Sequence, residues 1–263
     1  MKKVGVFGTC RIENWNGTDL KKVNSGMPVI YQDSRYQFLI RPLGYTTTTS
    51  DVAQNLRLIY RSEYQTIEED PPLFREIFMK HGGQSVVTGL DYDLIIIEAC
   101  SVKKIIYEIK QTEIKQTETK QTETKQYIIP YEIESKEIMP TRIETESEEE
   151  TFSNLQEISR VLNGVQIVLL PPIVEFTGQH IIGIHENVRS SQHVLNYRRD
   201  ILHRLRDCAD KIQNVYFYDW NDLIREHGAQ EMLLDQFHFT EKGYQVVASK
   251  LFNFVDCILS NQS

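Results

Sequence analysis

The chain has 263 residues, of which 40% are hydrophobic and 25% charged, a composition typical of a globular protein large enough for one sizeable core. Its formal net charge of −8 argues against a general nucleic-acid binder, which would carry a basic surface. No apolar run reaches the roughly 18–20 residues that a membrane-spanning helix needs. The sequence therefore predicts neither nucleic acid nor membrane as a partner.

Short apolar runs alternate with amphipathic patterns along the chain. The runs predicted as strands are KKVGVFG, DYDLIIIEAC, GVQIVLLPP and NVYFYDW, and the continuous apolar stretch from Leu94 to Ile97 is typical of a strand buried on both faces. The runs predicted as helices are SDVAQNLRLIYRSEY, with Ser50 or Asp51 as its cap, FSNLQEISRVLNG, NYRRDILHRLRDCADKI and EKGYQVVASKLFNFVDCIL. This alternation predicts an α/β fold with a central, mostly parallel sheet and helices on both faces.

One segment interrupts the alternation. From 110 to 124 a KQTEI/KQTET unit occurs three times, and its period of five is expected of neither a helix nor a strand. We predict a single α/β domain formed by 1–107 and 151–263, with 108–150 as a polar, low-complexity insertion that contributes little to the core. The run YIIPYEI inside the insertion is open to two interpretations, an edge strand or a contact with a partner.

The cysteines indicate the compartment. Cys10, Cys100, Cys208 and Cys257 are widely separated and have no CxxC spacing, which predicts reduced thiols in a cytoplasmic protein rather than a disulfide framework or a zinc site. The start of the chain, MKKVGVFGTC, is predicted to be the first strand and not a signal peptide, because its apolar run is short and breaks at Gly8.

Two short motifs near opposite ends of the chain carry candidate chemistry. Gly8-Thr9-Cys10 follows the first strand, so we expect the thiol at the carboxyl edge of the sheet, where open α/β sheets bind ligands. Asp235 and His238 lie three residues apart just before the last predicted helix, a spacing that lets the carboxylate orient the imidazole as a general base. The alternative is that Cys10 is a small buried hydrophobic residue and His238 only binds a neighbouring loop.

The second motif also carries a resemblance. DQFHFTEKGYQVVASKL resembles the last block of the SGNH/GDSL hydrolase superfamily, in which Asp-x-x-His precedes the closing helix. That superfamily has its nucleophile directly after the first strand, where this chain has Gly8-Thr9-Cys10, and a cysteine there is similar to the GSCFA-type and WcbI-type branches. The resemblance implies a three-layer SGNH-like (flavodoxin-like) domain with Cys10 as nucleophile, His238 as base and Asp235 as the orienting acid.

The resemblance also implies a reaction. A WcbI-like protein would be an acyltransferase that works through a Cys thioester and moves an acetyl or other acyl group from a CoA-type donor, such as acetyl-CoA, to a sugar or glycan acceptor. An ester or thioester hydrolase with the same triad is an alternative, since only the attacking group differs. A non-catalytic glycan- or ligand-binding protein on this scaffold is another. No tightly bound cofactor is expected, the irregular histidine spacings do not favour a metal, and the oligomeric state stays open.

The oxyanion and substrate contacts are less defined. The superfamily's third block usually supplies an Asn, but here the corresponding strand exit reads IEACSVK, so Ser101 or backbone N–H groups are the candidates. The second block corresponds to RPLGYTTTTSDVAQNL and offers either Gly44 or the helix N-terminus near Thr49 and Ser50. Arg11, Arg189 and Arg198 are candidates for binding a phosphate or carboxylate, with a solvated surface as the alternative.

Overall fold

The structure, a computed structural model, describes residues 2–9, 35–40, 46–60, 92–113, 121–129, 141–176 and 191–260. The strands in chain order are β1 (Lys2–Phe7), β2 (Tyr36–Ile40), β3 (Leu94–Glu98), β4 (Lys103–Glu113), β5 (Gln121–Ile129), β6 (Arg142–Thr145), β7 (Gln166–Leu170) and β8 (Val215–Phe217). The helices are α1 (Thr49–Tyr60), α2 (Glu148–Val161), α3 (Ser191–Ala209), α4 (Asn221–His227), α5 (Ala229–Met232) and α6 (Glu241–Ser260). Within the described ranges, no helix has the length and apolar character needed to cross a membrane.

Five strands form a parallel central sheet in the order β2-β1-β3-β7-β8. Counted along this sheet alone, the order is 2-1-3-4-5, the flavodoxin-like arrangement of a doubly wound fold. The chain direction across the sheet reverses between β1 and β3, and in such folds the crevice at the carboxyl end of this pair is the usual ligand site. The predicted α/β class with a mostly parallel central sheet is therefore confirmed.

Helices cover both faces of the central sheet, which gives three layers. Because side chains alternate along a strand, Val6, Ile96 and Val168 pack on one face, together with α6. Ile95, Ile97 and Leu169 pack on the other face, against α1, α2 and α3. All five residues of β3 are buried, as its continuous apolar run predicts. These layers are consistent with the predicted SGNH-like fold.

Helix α1 begins at the carboxyl edge, between the exits of β1 and β3. The Thr46 amide donates to the Gly8 carbonyl at 3.4 Å, and the Thr47 carbonyl accepts from the amides of Cys100 and Ser101 at 3.0 Å each. The predicted cap, Ser50 or Asp51, is wrong by two or three residues, because Thr48 is the residue that caps the helix. Its hydroxyl accepts from the Asp51 amide at 3.2 Å while the Asp51 carboxylate accepts from the Thr48 amide at 3.0 Å, a reciprocal capping box.

A second, antiparallel sheet in the order β5-β4-β6 contains much of the predicted insertion. The described parts of the repeat, 110–113 and 121–124, do form strands, with Lys110 paired to Thr124 and Glu113 to Gln121. A strand ladder is made by the backbone and does not require a two-residue side-chain period. The predicted limits at 108 and 150 fall inside β4 and α2. Neither core cluster contains a described residue from 108–150. The division into domain and insertion stays a prediction.

Glu146, in the turn between β6 and α2, fastens this second sheet to the central domain. Its buried carboxylate accepts from the Thr49 hydroxyl at 2.6 Å, from the Ser50 amide at 2.9 Å and from the Ser50 hydroxyl at 2.6 Å. The Thr151 hydroxyl adds a fourth bond at 2.8 Å. A negative side chain at a helix N-terminus satisfies N–H groups that have no partner within the helix.

Candidate active site

The Asp235 and His238 side chains form a hydrogen-bonded pair. His238 Nδ1 lies 3.0 Å from Asp235 Oδ1 and 2.9 Å from Oδ2. Asp235 Oδ1 also accepts from the Phe237 amide at 2.6 Å and the His238 amide at 2.8 Å, so the carboxylate closes the turn that holds the imidazole. A carboxylate facing Nδ1 selects the tautomer with its proton on that nitrogen, which makes Nε2 the basic nitrogen. Both side chains are 26% exposed, so solvent or a substrate reaches them.

The surroundings of Asp235 favour its charged form. Partial burial raises the pKa of this carboxyl, but the hydrogen bonds from His238 and from the Phe237 amide outweigh that effect and lower the pKa below its ordinary value. Asp235 is therefore ionised at neutral pH, which is the state that orients an imidazole and stabilises an imidazolium.

Arg198, on α3, holds the Asp235–His238 turn at the carboxyl edge of the sheet. Its Nη1 donates to the Ile173 carbonyl, just beyond β7, at 3.0 Å and to the Gln236 carbonyl at 2.8 Å. The guanidinium also lies over the rings of Phe176 and Phe237, 5.1 and 4.7 Å from their centroids. The role of Arg198 in substrate binding stays a prediction. The contacts of its guanidinium given above are with other residues of this chain.

The chain beyond the pair is anchored by close packing. The buried Phe239 ring packs edge-on against Trp220 at 5.3 Å and Tyr244 at 5.4 Å. Gly243, in the first turn of α6, is required by a close approach, since a Cβ there would come within 2.2 Å of the Met232 carbonyl oxygen. The His238 backbone is thus fixed on both sides, by Asp235 before it and by the base of α6 after it.

The exits of β1 and β3 are joined by a buried carboxylate that sequence analysis missed. Glu98, the last residue of β3, is fully buried, and its Oε2 accepts from the Thr9 amide at 2.8 Å and the Thr9 hydroxyl at 2.6 Å. Strand alternation places Glu98 on the same face as Leu94 and Ile96, the face that also packs the residues around His238. The signal in the sequence was a charged residue that ends an otherwise apolar strand, LIIIE.

Ser101 follows β3, and its side chain contacts β4 and α3. Its hydroxyl lies 3.2 Å from the Tyr197 hydroxyl and accepts from the Lys103 amide at 3.0 Å. Its predicted role as an oxyanion donor stays a prediction. The other predicted site residues lie outside the described residues: Cys10, Arg11, Gly44 and Arg189. Within the described part of the chain, no group of three or more His, Cys, Asp or Glu side chains has the arrangement of a metal site.

The fold and the paired side chains define an α/β protein of flavodoxin-like strand order with a histidine–aspartate pair at the carboxyl edge of its sheet. No family model matches the sequence, and no curated protein matches it. One similar solved structure is described as a candidate platelet activating factor from Streptococcus pneumonia, with 14% identity over 96% of this chain and 83% of that chain and a TM-score of 0.45. Another is a Clostridium thermocellum family 3 carbohydrate esterase, with 10% identity over 99% of this chain and 98% of that chain and a TM-score of 0.43. At these identities and TM-scores the likenesses support no functional inference, so the interpretation of the site rests on the contacts described above.

Proposed function

We propose that this protein is an acyltransferase that works through a thioester on Cys10, with His238 as the base and Asp235 as the acid that orients it. The observation that carries the proposal is the His238–Asp235 pair, whose carboxylate faces Nδ1 and leaves the basic nitrogen for a nucleophile. The pair lies at the carboxyl edge of the sheet, and Thr9, immediately before Cys10 in sequence, is hydrogen-bonded at the same edge.

In the proposed reaction, His238 Nε2 takes the proton of the Cys10 thiol, and the thiolate attacks the carbonyl carbon of the acyl donor. The bond from acyl carbon to donor sulfur breaks, and the departing thiol of a CoA-type donor receives the proton from His238. An acceptor hydroxyl then gives its proton to His238 and attacks the Cys10 thioester, which forms the product ester and regenerates the thiol. A thiolate is a strong nucleophile, and an adjacent histidine lowers the thiol pKa from about 8.5.

The proposed donor is an acetyl-CoA-type thioester and the proposed acceptor is a sugar or glycan, as the resemblance implies. Two exposed apolar side chains beside the His238–Asp235 pair can contact an acyl group. Leu234 and Phe237 are 52% and 42% exposed, although most large apolar side chains in the described ranges are buried. They give the turn that holds His238 an apolar surface on which the acyl part of a donor can pack.

Hydrolysis is the second candidate, and the exposure of the pair favours it. With His238 and Asp235 each 26% exposed, water reaches the same base that would activate an acceptor hydroxyl. The two reactions share every step up to the thioester and differ in the group that attacks it. The fate of the acyl group therefore separates them.

Trapping the acyl-enzyme tests the proposal. We expect intact-protein and peptide mass spectrometry after incubation with acetyl-CoA to find one acetyl group on Cys10, and none in Cys10→Ala. His238→Gln should slow its formation by about 10²–10⁴-fold, the usual contribution of a general base. Cys257→Ser is the matched control, because Cys257 is an exposed thiol on α6 and its loss should change nothing.

The second half of the test adds an acceptor. Transfer of the label to a sugar hydroxyl supports the transferase, and release as free acetate with or without sugar supports the hydrolase. If a panel of acyl thioesters and esters leaves Cys10 unmodified and gives no product, the protein is not an enzyme of this class, and a binding function on the same scaffold becomes the better account.

A further inference from the structure

A buried charge at the end of β3 needs an explanation. Glu98 is fully buried, yet a strand end packed among apolar residues gains nothing from a carboxylate, and transferring one from water to a protein interior is costly unless hydrogen bonds compensate. Its Oε2 accepts two hydrogen bonds from Thr9, which lies 89 positions earlier in the chain. The carboxylate is thus directed at the segment that leaves β1.

The two bonds fix more than one degree of freedom. The bond from the Thr9 amide, at 2.8 Å, sets the orientation of the peptide plane between Gly8 and Thr9. The bond from the Thr9 hydroxyl, at 2.6 Å, sets the side-chain rotamer and so prevents the segment from rotating about the first bond. A carboxylate makes stronger hydrogen bonds than a neutral acceptor, so the hold on Thr9 is tight.

The hydrogen bonds between Glu98 and Thr9 lie where a ligand site is expected. β1 and β3 are adjacent and in register, with Val6 opposite Ile96 and Phe7 opposite Ile97, so their exits meet at the point where the sheet reverses its winding. Thr9 is covalently joined to Cys10, and any movement of the Thr9 peptide moves the start of that residue. Glu98 also lies on the face that packs the base of the His238 turn.

We propose that Glu98 is a positioning residue that holds the Gly8-Thr9 exit of β1, so that the thiol of Cys10 is presented to His238. The inference rests on the proposed function, because it takes Cys10 as the nucleophile. It adds that a carboxylate from the neighbouring strand fixes the position of the segment before the nucleophile. The Thr9 hydroxyl contributes to this through its hydrogen bond to Glu98. Displacement of a reacting group by about 1 Å is enough to cost roughly 10²-fold in rate.

The test compares variants of both partners in the full-length protein. Glu98→Leu removes both acceptors, whereas Glu98→Gln keeps one oxygen acceptor. Thr9→Val replaces only the hydroxyl with a methyl group, whereas Thr9→Ser keeps the hydroxyl. Glu146→Leu is the matched control, because Glu146 is equally buried and accepts several hydrogen bonds, but at the start of α1.

The readout is the pH profile of Cys10 alkylation by iodoacetamide, together with kcat and KM where turnover is found. We expect Thr9→Val, which leaves residue 98 unchanged, to move the alkylation midpoint up towards the ordinary thiol value of about 8.5. Both Glu98→Leu and Thr9→Val should lower kcat more than KM. Glu98→Gln should lie closer to the wild type, and Thr9→Ser should match it. Glu146→Leu should lower the thermal unfolding midpoint without moving the alkylation profile.

Two outcomes overturn the inference. One is an unchanged Cys10 profile in Thr9→Val, and the other is an equal shift in Glu146→Leu, which would mark general loss of stability. If Glu98→Leu does not fold, the Thr9→Val and Thr9→Ser pair decides alone. Failure of the proposed function looks different, because an ordinary Cys10 profile would then be found in the wild-type protein itself.

Discussion

At the residue scale, the proposed chemistry depends on three hydrogen bonds made by one carboxylate. Asp235 accepts from the His238 ring and from two backbone amides of its own turn, at 2.6 and 2.8 Å. The same side chain therefore builds the turn, selects the imidazole tautomer and stays ionised. Concentrating these roles in one residue explains why Asp-x-x-His works as a local motif, since three residues are the distance over which an Asp side chain can reach the following amides.

Replacing Asp235 with Asn should impair catalysis far more than folding. The amide still accepts from the backbone amides, but its NH₂ group cannot accept the proton on Nδ1 and favours the wrong tautomer of His238. We expect kcat/KM at neutral pH to fall by about 10²–10⁴-fold, as for the orienting acid of other triads. Steady-state kinetics measure this fall in kcat/KM. Asp222→Asn is the control, since Asp222 is an exposed carboxylate paired with Arg225. Equal activity in Asp235→Asn and wild type would remove Asp235 from the mechanism.

The Asp235→Asn substitution should lower the free energy of unfolding only above about pH 4. The folded pKa of Asp235 is lowered, so the unfolded chain binds more protons between that pKa and the ordinary value of about 3.9. The stabilisation is therefore present in full above about pH 4 and is lost as the pH falls through the folded pKa. Denaturant unfolding of wild type and Asp235→Asn should show their difference shrinking below pH 4.

At the element scale, two buried carboxyl side chains, Asp51 and Glu146, lie at the start of α1. Asp51 accepts from the amides of Thr47 at 2.9 Å and Thr48 at 3.0 Å, and Glu146 binds the next two residues of the helix. Capping by carboxylates explains how a segment of consecutive threonines, with low helix propensity, enters a helix between two strand exits. The sequence signal for the helix was sound, but its polar start allowed several caps.

Asp51 should make the protein more stable as the pH falls towards 4. Burial raises its pKa to about 7 and outweighs the amide hydrogen bonds that lower it. Between about pH 4 and pH 7 the folded state holds a proton that the unfolded state has released. The stabilisation is thus complete below the unfolded pKa of about 3.9 and is lost as the pH rises through 7.

Comparing the wild type with Asp51→Asn isolates the contribution of the Asp51 carboxyl to the pH dependence of stability. The free energy of unfolding of the wild type relative to the variant should decline between pH 4 and pH 7, as measured by urea unfolding at several pH values. Thr240→Ala is the control, because it removes a non-titrating cap at the start of another helix, α6, and should cost about 1 kcal/mol at each pH. A difference between wild type and Asp51→Asn that is independent of pH would contradict the assigned pKa.

At the scale of the whole molecule, the sequence was most informative where one physical pattern dominates. The apolar run at Leu94–Ile97 and the helical stripes predicted a parallel sheet covered on both faces, and the strand order bears this out. The spacing of Asp235 and His238 predicted their contact because the interaction is local. The period-five repeat was misleading for β4 and β5, because polar hairpins are held by backbone bonds that leave no two-residue signature.

Long-range polar contacts were beyond the reach of the sequence. Nothing near Glu98 indicates that its partner is Thr9, and nothing near Arg198 indicates that its guanidinium binds the carbonyls of Ile173 and Gln236. Such contacts depend on which loops the sheet order brings together. One of them holds the exit of β1, near the start of the chain, and the other holds the turn before α6, near its end.

The proposed mechanism requires that the two ends of the chain form one site in which His238 activates Cys10. The most direct measurement is the pH dependence of Cys10 alkylation by iodoacetamide, followed by peptide mass spectrometry in wild type and His238→Ala. If His238 activates the thiol, Cys10 reacts at pH 6–7, well below the ordinary thiol pKa of about 8.5, and ahead of Cys100, Cys208 and Cys257. In the variant its reaction slows to the rate of an ordinary thiol. A Cys10 that is inert, or that reacts alike whichever residue stands at position 238, would contradict activation by His238.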